Sequence, residues 1–183
     1  DASVTSVTLP SSLRRIGDYA FESSRLTSLT LPDSFETIGS WAFSYASNLA
    51  RVDLGGTTTV SDDAFLNDLA LTEVNLRPDL GRLKEIGEDA FGGCTNLTSL
   101  VVPASATSVE GVSNTGVDTL ELGDRVSKLS IVTRGIRNVR HIVVRGGVNG
   151  EFYSEGQASN GRPESAFFGA GMTTFSFWGE TPR

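Results

Sequence analysis

Apolar residues recur along the chain in a six-residue phrase of the form apolar-x-x-apolar-x-apolar. In LTSLTL at 26–31, Leu29 and Leu31 alternate with Ser28 and Thr30. This period of two predicts a short strand with one buried face. The phrase occurs at 4–9, 26–31, 49–54, 71–76, 97–102, 117–122, 139–144 and 172–177. Self-similarity at a spacing close to 22 residues predicts a repeat protein.

A second phrase keeps a fixed phase with the first. It reads IGDYAF at 16–21, IGSWAF at 38–43, VSDDAF at 60–65 and IGEDAF at 86–91, with a partial copy, SAF, at 165–167. The Ala-Phe pair is expected to place a small residue against the backbone and a ring in the core. No 22-residue unit can bury its apolar face alone, so the units must stack through parallel strands about 4.8 Å apart. We predict a solenoid of about eight such turns.

The combined pattern resembles a known family. LxxLxLP, then IGxxAF, then GCTNL at 93–97 resemble the leucine-rich repeats of BspA-like bacterial surface proteins. The resemblance implies a right-handed leucine-rich-repeat solenoid with a parallel β-sheet on one face and short turns or 3₁₀ segments on the other. It also implies a secreted or cell-surface location, and some members bind host matrix proteins.

We expect one solenoid domain over residues 1–183. Its predicted parts are regular repeats at 1–102, degenerate repeats at 103–144, a Gly-rich insertion at 146–163 and a final repeat at 164–178. In the degenerate part, the places expected for Ala-Phe hold Ser113-Asn114 and Thr133-Arg134. Solenoids need terminal caps with a polar outer face, and neither end of the sequence offers a clear one. The chain is therefore expected to be a fragment of a longer protein.

Composition narrows the classes of function. No apolar stretch in the 183 residues approaches the roughly 18–20 that a membrane-spanning helix needs. One cysteine, Cys94, excludes an intrachain disulfide framework and a Cys-based zinc site, and is expected to be a small buried apolar residue. With one histidine and no phosphate-binding, dinucleotide-binding, HExxH or GxSxG motif, we predict no enzymatic activity and no cofactor.

Charge is distributed unevenly. The net charge is −7 and the pI is about 4.7, yet residues 125–150 contain six basic side chains and no acidic one. No aromatic-basic motif accompanies them, so nucleic-acid binding is not expected. Acidic residues before Phe would stack along the rod, and a column of carboxylates is a candidate calcium site. Ser40-Trp41 interrupts the column, however, and the sequence has no calcium-binding loop of regularly spaced Asp residues. We therefore predict no metal site.

The candidate binding residues are those that alternation places on the outer surface of the strands. They are Arg51, Asp53, Glu73, Asn75, Glu121 and His141. An exposed parallel sheet is the kind of extended surface that solenoids use for binding, so we predict a protein or glycan partner, on host matrix or a cell surface, at this face or at the Gly-rich side loop. Two alternatives remain. The face is an ordinary solvated sheet, or the domain is a structural spacer that carries another domain.

Overall fold

The computed structural model describes residues 4–112, 114–122, 141–145 and 174–178. This part of the chain contains short strands and hydrogen-bonded turns and no helix, and therefore none long and apolar enough for a membrane crossing. The strands are β1 Arg15–Ile16, β2 Ser28–Thr30, β3 Thr37–Ile38, β4 Arg51–Asp53, β5 Thr59–Val60, β6 Glu73–Asn75, β7 Glu85–Ile86, β8 Ser99–Val102, β9 Ser108–Val109, β10 Thr119–Leu122, β11 His141–Arg145 and β12 Thr174–Trp178.

The even-numbered strands through β10, together with β11 and β12, form what we call the main sheet. All pairings in it are parallel, and equivalent residues of successive repeats lie side by side: Leu29 opposite Val52, and Val52 opposite Val74. Such a register stacks the apolar positions of each phrase into one buried row. The solenoid of stacked 22-residue turns is therefore as predicted, with about five turns in the continuous stretch up to residue 122.

The main sheet differs from the prediction in two places. The first phrase, at 4–9, forms no strand. The Arg25 N–H donates to the Val4 carbonyl at 2.8 Å, and Val4, Val7 and Leu9 pack against the core. The sheet also divides into β2-β4-β6 and β8-β10-β11-β12. The division falls where 26 residues, rather than 22, separate the phrases starting at 71 and 97, so the longer turn interrupts the ladder.

A second set of strands, here called the narrow ladder, was not predicted. It pairs β1, β3, β5, β7 and β9 in parallel, each strand only two residues long. The apolar residue of each strand, such as Ile38 or Val60, is buried. The sequence shows this residue as the first letter of the IGxxAF phrase, but two residues carry too little alternation to indicate a strand.

The core contains a file of stacked aromatic rings among its aliphatic side chains. Phe21, Phe43, Phe65 and Phe91 pack face to face with centroids 5.2, 5.2 and 5.3 Å apart. Val112 takes the next place in the file. The Phe65 N–H donates to the Ala90 carbonyl and the Phe91 N–H to the Gly111 carbonyl, so Gly111-Val112 is the equivalent of Ala90-Phe91 one turn later.

The expected Ala-Phe equivalent in the first degenerate repeat was therefore misplaced by two residues. Gly111-Val112 holds that place, not Ser113-Asn114. Glycine is required there because a Cβ on residue 111 would lie 2.7 Å from that of Ala90.

Three further predictions fall outside the described residues. They are the Gly-rich insertion at 146–163, the partial Ala-Phe copy at 165–167, and the basic stretch up to residue 140.

Candidate functional site

Arg51 and Glu73 lie next to each other on the outer surface of the main sheet. The parallel register of β4 and β6 sets them side by side, with Arg51 Nε 3.3 Å from a carboxylate oxygen of Glu73. Their side chains are 75% and 65% exposed. An ion pair this exposed stabilises a fold by only about 0–1 kcal/mol. Arg51 and Glu73 can therefore separate and form ion pairs with a partner at little cost in stability.

Asp53 and Asn75, one step along the same strands, are used by the fold itself. The Asn75 amide donates to Asp53 Oδ2 at 3.0 Å, and the Gly55 N–H donates to Asp53 Oδ1 at 2.9 Å. Asn75 Oδ1 in turn accepts from the Arg77 N–H at 3.0 Å. These bonds fix the carboxyl ends of β4 and β6. The four predicted residues thus form one contiguous group. Arg51 and Glu73 face solvent, whereas Asp53 and Asn75 are fixed by hydrogen bonds within the fold.

Arg77 organises this end of the sheet. It donates through Nε and Nη2 to both oxygens of Asp79, each at 3.0 Å. Its Nη1 lies 3.1 Å from Asp33 and 3.5 Å from Asp53. The hydrogen bonds that Arg77 donates to Asp79 raise the pKa of the Arg77 guanidinium and lower the pKa of the Asp79 carboxyl.

Arg77, Asp33, Asp53 and Asp79 are here called the Arg77 cluster. The sequence analysis named Asp53 as a candidate binding residue but missed the other three. One signal was available, since Arg77 directly follows a strand phrase at the place where Pro10, Pro32 and Pro103 follow theirs.

Replacing Arg77 should loosen the long turn. Arg77→Gln keeps a polar side chain but leaves Asp33, Asp53 and Asp79 without their shared cation. We expect the midpoint of thermal unfolding to fall by about 5 °C at low salt, and by less at high salt because ions screen the remaining carboxylates. Arg51→Gln, which breaks only the exposed pair, is the matched control and should change the midpoint by less than about 2 °C. Equal shifts for the two variants would contradict a special role for Arg77.

Glu121 and His141 lie elsewhere on the main sheet. They occupy β10 and β11, with Glu121 opposite Val143 and His141 opposite Thr119, so they are offset by two residues. Both side chains are half-buried. Strands β6 and β8, which do not pair with each other, separate them from Arg51. The six predicted residues therefore form two groups on two blocks of the sheet.

The turns that carry the Ala-Phe pairs form another surface. We call residues 17–24, 39–46, 61–68 and 87–94 the turn segments. Their backbones are linked from turn to turn: the N–H groups of Tyr19, Trp41 and Asp63 donate to carbonyls of the following turn at 3.0, 3.3 and 2.9 Å. These residues have positive φ angles of 58°, 59° and 57°. This arrangement places residues 19, 41, 63 and 89 in one row.

The acidic residues of the turn segments influence one another. Partial burial, together with Asp89, Asp62 and Glu88, raises the pKa of Asp63. Among the described residues, no three His, Cys, Asp or Glu side chains converge closely enough to hold a metal ion.

One carboxyl group of the turn segments is inside the core. Asp68 is 0% exposed, its Oδ1 accepts from the Ala46 N–H at 2.7 Å, and its Oδ2 has no partner. Burial raises its pKa to about 9. Cys94 stands at the same place one turn later, buried, with its thiol donating to the Phe65 carbonyl. Burial raises the pKa of this thiol to about 12, which leaves it unreactive, in line with its predicted role as a small buried residue.

Comparison with known proteins identifies one family. The profile of the BspA type leucine-rich repeat region matches six copies over residues 1–121. A crystal structure of a leucine-rich repeat protein from Bacteroides ovatus ATCC 8483 is 20% identical, with a TM-score of 0.48, and the match covers 93% of this chain. The chain spans about half of that protein, 47% of its length. Among curated proteins, none matches.

Proposed function

The chain belongs to the BspA-type leucine-rich repeat family, and on that premise we propose that it is a non-enzymatic recognition module at a bacterial cell surface, which binds a protein or glycan through its main sheet. Repeats of this family are generally binding scaffolds, and BspA-type proteins are typically found at the surface or outside the cell. The observation that carries the proposal is the exposed Arg51–Glu73 pair on the adjacent strands β4 and β6.

The arrangement suits passive recognition. Asp53 and Asn75 are fixed by their own hydrogen bonds, so the adjacent strand ends move little when a partner docks. Arg51 offers a planar, delocalised cation that binds carboxylates with two parallel hydrogen bonds, and Glu73 offers the opposite charge one strand away. A partner with a complementary pair would replace one weak surface ion pair by two desolvated ones. This pair would supply most of the binding energy, and the other contacts over the sheet would mainly exclude water around it.

The test is a binding screen of the full chain against matrix proteins and a glycan array. We expect saturable binding to at least one component, and a loss of at least about tenfold in affinity for Arg51→Ala/Glu73→Ala, since truncated hot-spot residues cost about 2 kcal/mol or more. The matched control is Arg14→Ala/Glu36→Ala, which removes another Arg–Glu pair between neighbouring turns, 3.6 Å apart and also exposed. The control should bind like the wild type.

Other outcomes would redirect the proposal. Binding that survives in the Arg51/Glu73 variant but disappears when 146–163 are deleted would move the contact to the Gly-rich insertion. No binding to any component, with the variants folded, would favour the spacer. The spacer alternative is supported by the small polar side chains Ser28, Thr30 and Ser99, which occupy the outer positions of β2 and the start of β8.

A further inference from the structure

Three aromatic side chains are presented to solvent by the first two turn segments. Tyr19 and Tyr45 are 56% and 46% exposed, and Trp41 is half-buried. The rings of Tyr19 and Trp41 are nearly parallel, 15° apart in plane, with centroids separated by 6.2 Å. Since the stacked Phe rings already fill the core, the rings of Tyr19, Trp41 and Tyr45 bury little apolar surface in it. Contiguous exposed apolar patches mark contact surfaces, and Trp and Tyr are enriched among the residues that dominate binding energy.

The backbone conformation at these three residues destabilises the fold. Tyr19, Trp41 and Tyr45 have φ angles of 58°, 59° and 59°, the left-handed region that suits glycine and asparagine and penalises bulky side chains by about 1–2 kcal/mol. Later turns use Asp63, Asn67 and Gly93 at the same places, where the penalty is smaller. At Tyr19, Trp41 and Tyr45 the first two turns thus carry rings where smaller residues would stabilise the fold better, which points to a use for the rings.

The charge around the rings decides what kind of partner fits. The turn segments contain no Arg or Lys, whereas six of their carboxylates reach solvent: Asp18, Glu22, Asp62, Asp63, Glu88 and Asp89. Partial burial, and after it the neighbouring carboxylates of Asp89, Asp62 and Glu88, raise the pKa of Asp63. Trp41 is followed in the same row by Asp63, so a cation placed over the indole would also lie near a carboxylate. Aromatic faces attract Arg and Lys side chains, and the carboxylates add to that attraction.

We infer that the turn segments are a second binding surface, which takes an extended basic segment of a partner protein. Its Arg or Lys side chains lie against Tyr19, Trp41 and Tyr45 and continue along the carboxylates of the third and fourth turns. This surface is separate from the Arg51–Glu73 region of the main sheet and does not depend on it.

The experiment measures binding of a labelled oligo-arginine peptide to the full chain by fluorescence anisotropy. Tyr19→Asn/Trp41→Asn removes two rings, and asparagine tolerates the left-handed backbone, so the variant is expected to fold at least as well. We expect its affinity for the peptide to fall at least about fivefold. Asp63→Asn/Asp89→Asn should weaken binding and make it less sensitive to salt. Asp118→Asn, which removes an exposed carboxylate before β10, should leave peptide binding unchanged.

Three results would overturn the inference. The first is no saturable peptide binding at about 0.15 M salt. The second is equal peptide binding by the wild type and the Tyr19/Trp41 variant. The third is binding of a neutral oligosaccharide that depends on Tyr19 and Trp41 while the peptide does not bind, which would assign the rings to carbohydrate instead. Thermal unfolding of every variant confirms that a loss of binding is not a loss of fold.

Discussion

Phe65→Ala should destabilise the solenoid by about 3–5 kcal/mol, the range for removing a fully buried ring from a core. Phe65 is 0% exposed and lies between two other rings, 5.2 Å from Phe43 and 5.3 Å from Phe91. The cavity would open between two turns that cannot close it, because hydrogen bonds between the turns fix their spacing. Small domains are stable by about 5–15 kcal/mol, so this one change removes a large share. Denaturant unfolding of the two proteins measures it.

Phe21→Ala is the matched control for that experiment. Phe21 stands at the end of the file, is half-buried and stacks on one ring only, so its loss should cost less than half as much. In a stacked array each repeat is stabilised mainly by its neighbours. Damage in the middle weakens two interfaces, and damage at the end weakens one. Equal losses for the two variants would show that the ring file does not couple the turns.

Much of this fold was predictable because the repeat multiplies each local signal. One phrase such as LTSLTL is weak support for a strand, but phrases in phase with IGxxAF leave only stacking as a way to bury Leu29 and Phe43 together. The narrow ladder was missed because two-residue strands have no measurable alternation. The equivalent of Ala90-Phe91 was misplaced because Gly111-Val112 shares neither residue with the motif, and only the hydrogen bond between the turns identifies it.

The candidate sites divide in the same way. Alternation and parallel register were sufficient to predict that Arg51 and Glu73 would lie side by side. The Arg77 cluster was not predictable, since Arg77 reaches Asp33 across 44 residues through a turn whose path no motif fixes. The exposed rings of Tyr19 and Trp41 were missed because the sequence gives no sign that these residues have positive φ angles. Bulky aromatic residues are rare in that region of backbone conformation.

Asp68→Ala should stabilise the protein at neutral pH, by about 3 kcal/mol at pH 7. Burial raises the pKa of Asp68 from 3.8 to about 9, so the folded protein holds a proton that the unfolded chain releases above about pH 4. The wild type is therefore most stable below that pH and loses stability up to about pH 9. At pH 7 the loss is about 4 kcal/mol, at 1.36 kcal/mol per pH unit. Asp68→Ala also loses the hydrogen bond from the Ala46 N–H, which lowers the gain in stability by about 1 kcal/mol.

The position itself supports that result, since Ala46 fills the same place one turn earlier and is fully buried there. Denaturant unfolding at pH 4, 7 and 9 should give a steep decline for the wild type and a flatter profile for Asp68→Ala. The Cys94 thiol beside it stays neutral over this range because burial raises its pKa to about 12. Asp118→Asn, which removes an exposed carboxylate, controls for net charge and should keep the wild-type slope. Parallel profiles for wild type and Asp68→Ala would mean that the buried carboxyl ionises without cost, through water that reaches its unpartnered oxygen.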